Sequence, residues 1–337
     1  VDNSGSILAS ASSSLNNVAV TNKGDLSAYT TNSGEAYGLH IGAVGGDVLN
    51  SGSIGASAEL SLTDVTITGA LTNSAGIFLN EFAVGLELGG NVAGDLDNSG
   101  TISATASINA TNVSVTAGTS ALLNGRVDAV GISFKAELTA PAEILGATGL
   151  TNSGTISATA HLDTSGITLT GSTSGTKISL AAIGIDVDKG SAAAINNSGT
   201  IMGVWTGGNT ATSSTNFYGA GIAIDTGSNV AGGINNSGMI KGTNDGLIIS
   251  DIGGGTFNIN NDGTFYGGDN AISTTNGTLN IDGTGFLTGG LNGGTDTTLN
   301  IVGDQTVDGD ITDFVSPVTI KATAGALRTF DTTVNTD

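Results

Sequence analysis

The side chains in this chain that could do chemistry are few and widely spread. Asp186 and Asp188 stand two apart, which in an extended strand puts both carboxylates on one face; Asp308 and Asp310 repeat the spacing. Alternating carboxylates are compatible with calcium, a cation held by oxygen ligands. The plainer alternative is Asp solvated on an outer face. A calcium-binding roll would need a repeated GGxGxDxUx nonapeptide, and the sequence has none. Glycan lyases and hydrolases need clustered carboxylates, often with Lys or Arg to stabilise developing charge. The eight basic residues, Lys23, Arg126, Lys135, Lys177, Lys189, Lys241, Lys321 and Arg328, stand singly. His40 and His161 are far apart, and no GxSxG motif supports a serine nucleophile. No catalytic residue is expected, and calcium is the one cofactor left open. Trp205, Phe217 and Tyr218 could form an aromatic platform for a sugar or partner, or could close off a narrowing sheet.

Composition narrows the classes further. The chain has 337 residues, 55 Gly, 2 Pro and no Cys, and its 8 Lys+Arg against 29 Asp+Glu leave a net charge of −21. Nucleic-acid binding needs a basic stripe, so it is excluded as an expectation. Disulfides and thiolate metal sites are excluded by the lack of Cys. Hydrophobic residues reach 38%, too many for a disordered chain. Charged residues make up only 11%, so the surface must be dressed mainly with Ser, Thr, Asn and Gly.

These residues must be positioned by a repeat. NSGSI occurs at 3–7 and 50–54, NSGTI at 98–102, 152–156 and 197–201, NSGMI at 236–240, and NDGTF at 261–265. Self-similarity of this kind marks a solenoid, each copy adding one unit to a stack. Asn and Gly tolerate left-handed backbone angles, so N-S-G is expected to make a compact corner. Ile7, Ile54, Ile102, Ile156, Ile201, Ile240 and Phe265 would follow it inward, stacked at about 4.8 Å in an apolar ladder. Asn3, Asn50, Asn98, Asn152, Asn197, Asn236 and Asn261 could form an amide ladder along the corner, or serve only as turn formers. DGTGF at 282–286 is expected to repeat the corner with Asp282 equivalent to Asp262.

The longer repeats carry an extra segment after the Thr-Ile strand. ASASSSLNNVAVT (9–21), ASAELSLTDVTIT (56–68), ATASINATNVSVT (104–116) and ATAHLDTSGITLT (158–170) align without gaps. Each reads as a strand, a tight turn and a second strand, which is a β-hairpin arm. Val18, Val65, Val113 and Ile167 would share a row. This is preferred to two coils per long repeat. The chain thus divides into wide, armed coils over 1–200 and narrower coils over 201–337, continuous with the first.

The repeated INNSGTI corner, preceded by GI-x-I strands, resembles the passenger domains of bacterial autotransporters, as does GGTDTTLNIVGDQTVDGDITDF (293–314). The resemblance implies a right-handed parallel β-helix displayed outside a Gram-negative cell, joined to the outer membrane only through a translocator not present in this chain. Opening mid-repeat at VDNSGSI, the residues are expected to be part of a longer precursor. The expected function is a non-enzymatic surface spacer that self-associates into filaments or layers, or adheres to a host or matrix glycan or protein. The competing class is a carbohydrate-active β-helix enzyme.

Overall fold

A computed structural model describes residues 1–22, 28–70, 73–135, 142–144, 146–207, 216–294, 296–315, 318–321 and 330–331. Lys23, Pro141, Pro317 and Arg328 lie outside them. The chain is all-β and winds as a parallel β-helix. Every strand pairing among the described residues is parallel. One coil shows the path. A short corner strand, Leu96–Asn98, leads through Ser99 and Gly100 into an outgoing strand, Thr101–Thr116. The chain reverses and returns along Ser120–Lys135, then passes a short strand, Glu143–Ile144, before the next corner strand at Leu150–Asn152. Corner strands from ten successive coils form one ten-stranded sheet, a stack of about 45 Å at 4.8 Å per rung.

Alternation decides which side chains go in. Ile54 pairs with Ile102, Ile102 with Ile156, Ile156 with Ile201, Ile201 with Ile240 and Ile240 with Phe265, each almost fully buried. Ile7 pairs with Ile54 at the first rung and is half-buried. The corner glycine has a different job from the expected one. None of the residues in the seven NSG and NDG corners adopts a left-handed φ, although Gly283 in the following coil does. Coils stack so closely there that a Cβ on Gly100 would lie 2.0 Å from the carbonyl oxygen of Gly52. Register also sets Asp282 opposite Asn260 rather than Asp262.

The wide coils differ from hairpin arms. Ser53–Thr68 runs as one strand, paired in parallel with Ser6–Asn16 and Ala19–Thr21 on one side and Thr101–Thr116 on the other. Val65 pairs with Val113 and Val113 with Ile167. The residues expected to turn the chain instead correct its phase. Leu60 and Leu62 face inward; Asp64 takes φ 54°; Val65 and Ile67 then face inward again. One left-handed residue absorbs a step of the two-residue period and keeps the apolar face continuous. Each wide coil is therefore a flattened extension of the helix, with an outgoing and a returning sheet face to face.

Two cores result. The first fills the helix proper, with Ile54, Leu86, Leu96, Ile102 and Phe134 among its residues. The second fills the extension, from Ala58, Leu60, Ile77 and Leu79 through Ala106 and Ile108 to Leu180. Between them the returning strand carries glycine at 38, 85, 131, 184 and 221. A Cβ on Gly131 would lie 2.5 Å from the oxygen of Gly184 and 2.8 Å from Cγ2 of Ile156. Backbone meets the facing sheet directly there, so the coil has a waist. After Ile224 the described coils keep only the first core, whose members continue to Phe314.

Candidate functional site

Along the corner, Asn3 Nδ2 donates to Asn50 Oδ1 at 2.8 Å, and the same bond recurs from Asn50 to Asn98 (2.7 Å) and Asn98 to Asn152 (2.7 Å). It continues from Asn152 to Asn197 (2.8 Å), Asn197 to Asn236 (2.8 Å) and Asn236 to Asn261 (2.9 Å). All seven amides are buried. The next coil has Gly283 and Gly285 there. Gln305, one coil further on, reaches across this gap: its Oε1 accepts from Asn261 Nδ2 at 3.0 Å, and its Nε2 donates to the carbonyls of Asn261 and Asp282. The sequence signal for this residue is slight, one Gln after a coil with two glycines.

Outside the waist, the returning sheet bends into a valley of acids. His40 pairs in register with Glu87, Glu87 with Ser133, and Ser133 with Asp186. His40 Nδ1 is 3.1 Å from Glu87 Oε1, and Arg126 contacts Asp128 through Nε. Asp128 is only 2% exposed, and burial raises its pKa to about 6 against the pull of Arg126. Burial, reinforced by Asp225, Asp188 and Asp128, raises Asp186 to about 7. Burial first, then Asp245, Asp186 and Asp225, also pushes Tyr218 upward. Carboxyls poised near neutrality can hold or release a proton. Asp308 and Asp310 are exposed, five coils further along, and do not join Asp186 and Asp188. Among the described residues no three His, Asp or Glu converge as a metal site. A further carboxylate faces inward. Glu81, 1% exposed, sits in the second core in the space left by Gly34, and burial raises it to about 7.

The expected aromatic platform is turned to packing. Trp205 and Phe217 lie with ring centroids 4.8 Å apart against the end of the second core. The Trp205 indole donates to Asn244 Oδ1 at 2.8 Å. Tyr218, one residue on, faces the acidic valley. Exposed aromatics lie elsewhere: Tyr29 on a returning strand, and on the outer face of the outgoing strands Tyr266, 38% exposed, and Phe286, 55% exposed, with Lys241 Nζ 5.0 Å above the Tyr266 ring. Alternation could have found Tyr266 and Phe286, because Phe265 and Leu287 take the inward positions beside them.

The outer face of the corner sheet carries a second set of asparagines. Asn235 Nδ2 donates to Asn196 Oδ1 at 2.8 Å, Asn280 to Asn258 at 2.9 Å and Asn300 to Asn280 at 2.9 Å. Asn235, Asn258, Asn280 and Asn300 line a groove of about 500 Å³ with Asn260 and Val302, and Asn196 lies in the hollow beside it. That second hollow, of about 270 Å³, reaches Thr151 and Ser198 and continues along the same face. The signal lay in FNINN, LNID and LNIV, where Asn occupies the phase opposite to inward Ile and Leu.

No family model, no curated protein and no solved structure matches this chain.

Proposed function

We propose that this chain is a non-enzymatic, extracellular structural protein of a Gram-negative bacterium, a stiff spacer of the autotransporter-passenger kind. Its side faces adhere to surfaces and to other copies of itself. The observation that carries this reading is the buried amide ladder, unbroken over seven coils and closed by Gln305. Amides in such a row polarise one another, and each ties its coil to the next, which suits a rod that must hold its length. The dressing of Asn, Ser and Thr over a net charge of −21 suits exposure to water on every side.

Beads coated with the purified chain, applied to extracellular matrix and to epithelial cells, test the reading together with electron microscopy. Saturable adhesion, or ordered fibres and sheets, is the expected result. Beads that do not adhere, from a chain that stays as single rods, would sink it.

The acidic valley favours a second reading, a glycan-cleaving enzyme using Asp186 and Asp128. Turnover of any member of a broad glycan panel, abolished by Asp186→Asn, would put that reading first.

A further inference from the structure

The groove on the outer face of the corner sheet and the hollow that continues it share one regularity. Two columns of side chains run along the rod axis. One holds Asn196, Asn235, Asn260, Asp282 and Val302; the other holds Asn258, Asn280 and Asn300. Rungs repeat at about 4.8 Å, and the columns stand two residues apart along each strand, roughly 7 Å. From the Thr151 rung to the Lys321 rung the face spans about 29 Å.

We propose that this face binds a linear, neutral, hydroxyl-rich polysaccharide lying along the rod axis. The proposal rests on the adhesive reading above and names its ligand. An amide has two N–H donors and two acceptor lone pairs. For Asn280, the ladder bonds to Asn258 and from Asn300 use one of each. The second donor and acceptor lie side by side, matched to neighbouring sugar hydroxyls, which also donate and accept. The ladder bonds hold these amides in place before any ligand arrives, so little side-chain freedom is lost on binding.

Other ligand classes fit less well. The backbone of these strands is already paired with the coils above and below, so this face offers no edge for an added peptide strand. Anionic polymers meet Asp282 within the groove and Asp262 in the adjoining hollow, against a single cation among the described lining residues, Lys321 at the far end, and a net charge of −21 on the whole chain. Apolar partners find Val302 alone among the two columns. A repeating ligand along a repeating face remains.

Affinity electrophoresis through gels containing dextran, linear mannan or mixed-linkage β-glucan, with alginate as the anionic control, tests the proposal. At least one neutral polymer should retard the chain, and alginate should not. Asn280→Ala with Asn300→Ala should weaken binding about tenfold or more. Asn235→Ala, a single exposed change, provides a second variant should the pair fold poorly. Retardation by none of the neutral polymers, by alginate equally, or unchanged in the folded variants would overturn the proposal. So would self-association that the same variants abolish without any polysaccharide binding, since the face would then be a contact between copies. Bead adhesion with these variants separates the two claims. Variant beads that still adhere, where wild type binds no polymer, sink the groove alone; wild-type beads that fail to adhere sink the spacer reading itself.

Discussion

Asn261 Nδ2 donates to Gln305 Oε1 at 3.0 Å, forty-four residues along the chain, and the coil between them contributes only Gly283 and Gly285 at that position. A long amide thus completes a row of short ones where the repeat drops its asparagine.

Gln305→Ala should leave the Asn261 amide and two carbonyls without their buried partner, at a cost of about 1–3 kcal/mol. Because coils couple mainly to their neighbours, the loss should be local. Hydrogen exchange should accelerate at residues 256–261 and stay unchanged at 150–152. Asn152→Ala breaks two ladder bonds in the middle of the row and should cost about 2–4 kcal/mol. Uniform exchange across the chain would count against local coupling.

At the waist, Gly131→Ala must push the returning strand off Gly184 and Ile156. A destabilisation of about 2 kcal/mol or more is expected in denaturant unfolding, the usual scale for overpacking. An unchanged midpoint would mean that the two sheets have room there.

Burial holds Glu81 protonated up to about pH 7, against an ordinary value of 4.5. Between those values the folded chain keeps a proton that the unfolded chain has lost. Stability is therefore full below about pH 4.5 and falls as pH rises towards 7. Asp128 and Asp186, raised in the same way, act with the same sign. Glu81→Gln should match wild type at pH 4.5 and exceed it by about 2–3 kcal/mol at pH 8. Melting curves that differ equally at both pH values would exclude this linkage.

Trp205→Ala should uncover the end of the second core and cost about 3 kcal/mol. Trp205→Phe keeps the apolar surface and loses the indole bond to Asn244, about 1 kcal/mol. Neither should change bead adhesion; a loss of adhesion with stability intact would restore the aromatic platform.

Much of this architecture was legible because one phrase recurs at one phase. Whatever holds for Asn98 holds for Asn152 and Asn197, and the inward Ile follows four residues later each time. The wide coils were harder to read. Asn16-Asn17 and Thr63-Asp64 look like hairpin turns, since residues that tolerate φ > 0 serve both a reversal and a phase correction. Only the continued pairing of Val65 with Val113 tells them apart. Gln305 and Glu81 were out of reach for another reason: each owes its role to a glycine in a different coil. The acidic valley is likewise assembled across coils, from Glu87, Asp128 and Asp186.

The waist has a consequence for how such a chain can change over generations. Backbone touches backbone at Gly85, Gly131 and Gly184, so the helix proper meets the same surface whatever lies beyond. Repeats of 54 and 39 residues stack on one axis without loss of register. Material can be inserted or trimmed past the waist, copy by copy, while the axis is inherited intact. Width is the heritable variable here, and length along the rod is counted separately, in corners.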